Sequence, residues 1–213
     1  SVLCTVRLTN VHLKDPKFPM PYIQQGGDRM HLCVNGIFVN GRVLDCDEII
    51  IDICEIDFYL IDRYYTYDEC QATDVHVAQK GYLPRWFTDY VFNLYRKKCE
   101  LKGGDQVAYD ISKTRVNGCF GLCAQFPIPP DLKEDYSTGE YYQDAKSNED
   151  LDKEYQKYIN RHTSILPYQW GIYITAYARL NLFKLGECAG QWLYSDTDSC
   201  YGMHWDVDKV EAY

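Results

Sequence analysis

Residues 191–205 read Gln191-Trp192-Leu193-Tyr194-Ser195-Asp196-Thr197-Asp198-Ser199-Cys200-Tyr201-Gly202-Met203-His204-Trp205. Two aromatic, β-prone runs flank a polar tip, Asp196 to Ser199, which is the pattern of a tight β-hairpin. Its turn presents two carboxylates separated by a single residue. Hard cations such as Mg²⁺ take oxygen ligands held in that way and keep positions open for phosphate and water. Asp, Thr and Ser are also ordinary turn residues, so the tip alone reads first as a solvated turn. A calcium loop of the EF-hand type does not fit, because Tyr201 and Val207 stand where that loop needs Gly and Glu.

Working back from the hairpin, Tyr168 to Ala189 reads as a long, mostly apolar helix that leads into it. Within Gly171-Ile172-Tyr173-Ile174-Thr175-Ala176-Tyr177-Ala178-Arg179-Leu180, only Thr175 and Arg179 are polar without being aromatic. Four residues apart, they share one helical face. Contact with a phosphate backbone suits such a face, and so does an internal ion pair for Arg179.

Before this helix the composition changes. Residues 127 to 160 open with Pro127, Pro129 and Pro130 and carry nine Asp or Glu against four Lys. The stretch reads as an exposed insertion, partly helical near Asp152 to Ile159, or as a flexible loop.

From Pro84 the period is helical, with Phe87, Tyr90, Val91, Leu94 and Tyr95 on one side, and Gly103-Gly104 ends the helix. A second helix is expected from about Asp105 to Phe120, giving an antiparallel helical hairpin. Lys97, Lys98, Lys102, Lys113 and Arg115 concentrate positive charge there. Lys113, Asn117 and Phe120 fall on one face of the second helix and place a cation, an amide and a ring together. Alone, that face reads first as a solvated Lys and Asn beside a core Phe, and it also suits a triphosphate beside a base or sugar.

The N-terminal region reads as β-rich. Val2 to Thr9 alternates as a strand, and residues 15 to 21, with three prolines, form a turn-rich connection. Met30 to Val34, Ile37 to Val39 and Arg42 to Cys46 are short strands punctuated by Asn35-Gly36 and Asn40-Gly41, which predicts a β-meander over 30 to 46. Glu48 to Cys54 is a further strand, Ile56 to Tyr65 a short helix, and Asp74 to Gln79 a closing strand.

Composition narrows the function classes. The chain has 213 residues, a net charge of −9 and 20 Tyr. Its acidity argues against a non-specific polyanion binder, although a local basic face remains compatible with it. The ten cysteines include no Cys-x-x-Cys pair, which argues against a zinc site. With no secretory signal and no apolar run long enough to span a bilayer, they read as reduced, packed thiols in a cytosolic protein. The start at Ser1 suggests a piece of something longer.

In chain order the sequence holds Lys113-x-x-x-Asn117-x-x-Phe120-Gly121, then Ile174-Thr175-Ala176-x-Ala178-Arg179, then Tyr194-x-Asp196-Thr197-Asp198-Ser199. Together these resemble the family B DNA polymerases, and more narrowly their protein-primed branch of phages, adenoviruses and linear plasmids. The resemblance covers roughly residues 84 to 205.

It implies an α+β fold: a palm-type hairpin and sheet, a helical-hairpin fingers subdomain and a β-rich N-terminal insertion. The implied divisions are 1–80 (β-rich insertion and part of the palm), 81–121 (fingers), 122–167 (acidic insertion) and 168–213 (palm helix and catalytic hairpin). Asp198 would be a ligand of a two-metal Mg²⁺ site, with Mn²⁺ as a substitute, and Asp196 its catalytic neighbour. Lys113, Asn117, Phe120 and Gly121 would hold the nucleotide. Thr175, Tyr177, Arg179, Tyr194 and Ser199 would contact DNA. The implied partners are primer-template DNA, a dNTP, a terminal priming protein and the remaining polymerase domains, with no membrane, in the cytoplasm of a phage or mobile-element host.

Two features depart from the family pattern. Gly118 and Phe120 stand where Ser and Tyr are usual. The first catalytic motif, Asp-x-x-Ser-Leu-Tyr-Pro, is absent, and Asp57 and Asp62 lie in a helix-like stretch without its Ser or Pro. Two-metal phosphoryl transfer needs carboxylates from two segments. The expectation is therefore a fragment of a DNA polymerase, inactive alone. The alternative is a non-catalytic nucleic-acid or replisome-binding module on the same scaffold.

Overall fold

The computed structural model describes residues 1–213 apart from 17, 28, 125–127, 129, 145, 162–167, 197 and 213. Pro127 and Pro129, which open the acidic segment, and Thr197 at the hairpin tip lie outside the described residues. Two compact units are present: Ser1–Tyr82 with Tyr173–Tyr213, and Leu83–Ile172.

The first unit begins with β1 (Val2–Leu13), β2 (Met30–Val34), β3 (Ile37–Val39), β4 (Arg42–Cys54), α1 (Glu55–Tyr64), β5 (Tyr65–Thr66) and β6 (Glu69–Val77). Its six strands form one antiparallel sheet. Within it, β1 is flanked by β4 on one side and by β5 and β6 in succession on the other. Apolar residues bury one face: Val6, Leu8, Val11 and Leu13 from β1, and Cys46, Ile49, Ile51 and Ile53 from β4. In both strands the alternation slips by one residue, next to Asn10, which takes φ 49°. Because both slip together, the register from Leu3↔Cys54 to His12↔Asp45 stays unbroken.

The two Asn-Gly steps do different things. Asn40 and Gly41 take φ 50° and 70° and turn β3 back onto β4 at the Val39↔Arg42 pair, as a type I′ hairpin requires. Asn35 takes φ 51°, but it makes no hairpin, since Val34 pairs with Glu48 and Ile37 with Asp45 of the same strand. The expected meander over 30 to 46 is corrected accordingly: β2 and β3 are two pieces of one interrupted strand along β4. That strand is long enough to partner both, because 42–46 and 48–54 are continuous. β6 begins at Glu69 instead of Asp74, and all nine of its residues are exposed, so no apolar alternation marked its start.

Leu60 and Ile61 of α1, with Met20, Tyr22 and Ile23 from the connection after β1, pack on the buried face of the sheet. Each such apolar side chain contributes about 1.5–3 kcal/mol by leaving water. Phe183 and Trp192 complete this core. They belong to α5 (Tyr168–Gly186) and to the first strand of the C-terminal hairpin, β9 (Ala189–Asp196) and β10 (Ser199–Trp205), which α6 (Val207–Ala212) follows. α5 therefore ends at Gly186, short of the expected Ala189. A Cβ at Gly186 would overlap the Trp192 ring, so the helix can approach the hairpin this closely only because that position is glycine.

The second unit holds α2 (Arg85–Glu100), α3 (Gln106–Ala124), β7 (Asp131–Asp135), β8 (Glu140–Asp144), α4 (Asn148–Ile159) and the first residues of α5. Phe87, Val91 and Leu94 of the expected apolar face of α2 are half-buried, whereas Tyr90 and Tyr95 are exposed. Asp105 caps α3, accepting from the amides of Val107 and Ala108 at 3.0 and 3.1 Å.

The acidic segment is more ordered than its composition suggests. β7 and β8 pair as a hairpin whose turn is held by Asp135, which accepts from the Ser137 amide at 2.9 Å and its hydroxyl at 2.6 Å. α4 starts after Ser147, earlier than expected, because the Ser147 hydroxyl caps it by accepting from the Asp150 amide at 3.3 Å.

All ten cysteines are free, but Cys70 and Cys99 are exposed, which corrects the expectation that every thiol is packed. Cys70 lies on the fully exposed β6 and Cys99 near the end of α2. Among the described residues, no helix is long and apolar enough to cross a membrane.

Candidate functional site

The C-terminal hairpin forms as expected. Asp196↔Ser199 is the last pair before the tip, and the Ser199 hydroxyl donates to the Asp196 carbonyl at 3.0 Å. Asp196 and Asp198 are both exposed. Beneath the tip, Trp192 and Ser195 are buried, and the Trp192 indole N–H donates to the Ser195 hydroxyl at 2.9 Å. On the exposed side Tyr194 lies opposite Tyr201, with ring centroids 6.0 Å apart. The buried Trp192 anchors one side while the carboxylates stay in water at the end.

Asp196 and Asp198 have the hard oxygen donors that Mg²⁺ or Mn²⁺ prefers. Among the described residues, however, no three His, Cys, Asp or Glu side chains gather to hold a metal ion. Two carboxylates on one hairpin do not by themselves amount to a two-metal centre.

α5 carries the second group of expected residues. Ala176 is fully buried, Tyr177 is exposed, and Thr175 and Arg179 lie between these extremes. The Tyr173 hydroxyl donates to Glu55 at 2.6 Å and fixes this helix to the start of α1. Arg179 reaches a group that the sequence did not single out. Its guanidinium donates to Asp57 at 2.9 Å, and Arg29 donates to the other oxygen of the same carboxylate at 2.7 Å. The Cys54 amide caps α1 through Asp57 at 3.0 Å, and the Tyr22 hydroxyl donates to it as well.

The Asp57 side chain is 1% exposed, against 47% for Arg29 and 36% for Arg179. Burial opposes its ionisation, but Arg29, Arg179, the Cys54 amide and the Tyr22 hydroxyl outweigh burial and lower its pKa. Burial and the adjacent Asp57 carboxylate push the Cys54 thiol up to about 11. The internal ion pair that the sequence allowed for Arg179 is thus formed, and the one local trace of its partner is an acidic residue three positions beyond Cys54, half of a capping-box pattern.

In the other unit, Lys113, Asn117, Phe120 and Gly121 are all exposed on α3. The expected stripe therefore exists as a solvent-facing row, and Lys113 and Asn117 form no hydrogen bond or ion pair with the described residues.

No protein-family profile matches the chain, and no curated protein sequence matches it. Among solved structures the fold resembles part of a DNA polymerase. The orthorhombic crystal form of Phi29 DNA polymerase matches with a TM-score of 0.63 at 16% identity, over 98% of this chain and 33% of that one. Phi29 DNA polymerase complexed with single-stranded DNA matches with a TM-score of 0.60 at 15% identity, over 96% of this chain and 31% of that one. The ternary complex of the same polymerase with primer-template DNA and incoming nucleotide substrates matches with a TM-score of 0.54 at 15% identity, over 96% and 32%. The chain thus spans about a third of the length of the solved polymerases it resembles. At this identity the likeness is one of fold.

Proposed function

We propose that this chain is part of a DNA-directed DNA polymerase of the protein-primed family B branch, which adds deoxynucleotides to a primer 3′ end during replication. One observation carries the reading. Three motifs that occur in order in the sequence lie on a helix, a helix and a β-hairpin of a chain whose fold matches Phi29 DNA polymerase along nearly its whole length.

In this reading residues 84–121 are the fingers and the hairpin is the palm centre. Lys113 binds the triphosphate, while Asn117, Phe120 and Gly121 line the nucleotide pocket. Thr175, Tyr177, Arg179, Tyr194 and Ser199 hold the primer-template. Asp196 and Asp198 contribute to a site for Mg²⁺, or Mn²⁺ in its place, and a further carboxylate comes from another segment of the parent enzyme. Without that segment the isolated chain binds DNA and nucleotide but does not extend a primer. A terminal priming protein and the remaining polymerase domains are its partners, in the cytoplasm of the host cell.

Titrating Mg²⁺ and a dNTP into this chain with primer-template DNA, while following binding and extension, tests the reading. Binding without extension supports it. Extension overturns the fragment assignment, and absence of any binding overturns the polymerase assignment.

A further inference from the structure

The arrangement at Asp57 places two guanidinium groups on one buried carboxylate. Arg29 approaches from the connection before β2 and Arg179 from α5, so the two converge only in the folded unit. Their charges sum to +2 and that of Asp57 is −1, which leaves a net +1 at a site whose carboxylate is hidden and whose cations are not. The Arg29 and Arg179 side chains are 47% and 36% exposed, although the Nε of Arg179 itself is buried. Asp57 also fixes their orientation. The Nε of Arg179 is buried without a hydrogen-bond partner among the described residues. An unpaired buried donor is unfavourable, so the carboxylate holds this guanidinium in a pose it would not otherwise keep. The Tyr22 ring, 5.9 Å from the Arg179 guanidinium carbon, walls one side. Arg29 is held twice, through Asp57 and through its Nε, which donates to the Asp52 carbonyl at 3.0 Å.

We propose that Arg29 and Arg179, held side by side by Asp57, form a receptor for one phosphate of a nucleic-acid backbone. The proposal rests on the polymerase reading and adds Arg29, which no sequence motif marks, as a binding residue. A site of net +1 matches one phosphodiester, and paired guanidinium forks suit phosphate oxygens better than an ammonium does. In a chain of net charge −9, a partly exposed cationic pair of this kind localises the attraction that the whole molecule lacks.

The test measures the affinity of the whole chain for primer-template DNA as a function of salt, comparing Arg29→Gln and Arg29→Lys with the unchanged protein. Near-ultraviolet circular dichroism checks that each is folded. Arg29→Gln should lower the slope of log K against log salt by about 0.9 and weaken binding about tenfold at 0.1 M salt, the loss of one phosphate contact. Arg29→Lys should keep the slope, because it keeps the charge, and lose only part of the affinity. A structural role alone would move both variants together, and that outcome overturns the proposal, as does an Arg29→Gln slope equal to that of the unchanged protein. Weakened dNTP binding with an unchanged DNA slope would move the phosphate to the nucleotide and overturn the backbone assignment. If the unchanged chain fails to bind DNA, the polymerase reading falls and this inference falls with it.

Discussion

Asp57 and Arg179 are 122 residues apart in the chain, yet their side chains meet at 2.9 Å and tie the start of α1 to the middle of α5. This contact joins the N-terminal sheet to the helix that leads into the carboxylate hairpin. The carboxylate is buried, both its cations are partly solvated, and its pKa is lowered.

Asp57→Asn should destabilise the first unit by about 1–3 kcal/mol, because the buried carboxylate accepts hydrogen bonds from Cys54, Tyr22, Arg29 and Arg179 that the amide replaces only in part. Thermal or urea unfolding followed by circular dichroism measures this. A loss below about 0.5 kcal/mol would show that the hub is not structural.

The same group predicts an acid limb. The folded pKa of Asp57 lies below its unfolded value, so its contribution is fully present above the unfolded carboxylate pKa of about 3.9. It is lost as pH falls from there through the folded value. Stability against urea should drop more steeply below about pH 4 in the unchanged chain than in Asp57→Asn. Parallel curves would assign the acid limb to other carboxylates.

Gly186→Ala places a methyl group where the Trp192 ring lies. Overpacking of this kind should cost about 1–3 kcal/mol. Displacement of Trp192 should also shift the tryptophan fluorescence, since the indole would lose its buried bond to Ser195. An unchanged melting temperature would mean that α5 and the hairpin separate without penalty.

On the proposed polymerase reading, Asp198→Asn in the full-length protein should abolish primer extension while leaving DNA binding within about twofold, because the Asp198 side chain is exposed. Extension and fluorescence anisotropy on the same preparations separate these effects. Retained extension would remove Asp198 from the metal assignment.

Thiol labelling reads the packing of the β-rich region. Cys70 and Cys99 are exposed and should react first with a thiol reagent at pH 8, whereas Cys46 and Cys54 should be protected until the chain unfolds. Their burial is reinforced by thiol pKa values of about 12 and about 11, each raised first by desolvation. Rapid labelling of Cys54 at the pace of Cys99 would contradict the packing at the start of α1.

Local chemistry made much of this molecule legible in the sequence. Aromatic and β-prone runs around a polar tip marked the hairpin over 191–205, helical periodicity marked α2, and Asn40-Gly41 marked a real type I′ turn. Each of these depends on residues within a few positions of one another, so the sequence alone determines it. Asn35-Gly36 shows where that logic stops. The same dipeptide, with the same left-handed asparagine, interrupts a strand instead of reversing it, because β4 is long enough to pair with both sides. β6 was misplaced for a related reason: a strand exposed along its whole length carries no apolar alternation to mark it.

The hub around Asp57 was legible only in part: an internal ion pair is one of the two readings of Arg179, but neither Asp57 as its partner nor Arg29 is marked. Arg29, Asp57 and Arg179 stand in a connection, a capping position and an apolar helix, and no short-range pattern relates them. Only the tertiary structure brings two cations to one buried carboxylate, since the balance between desolvation and ion pairing exists only after the chain has closed around it.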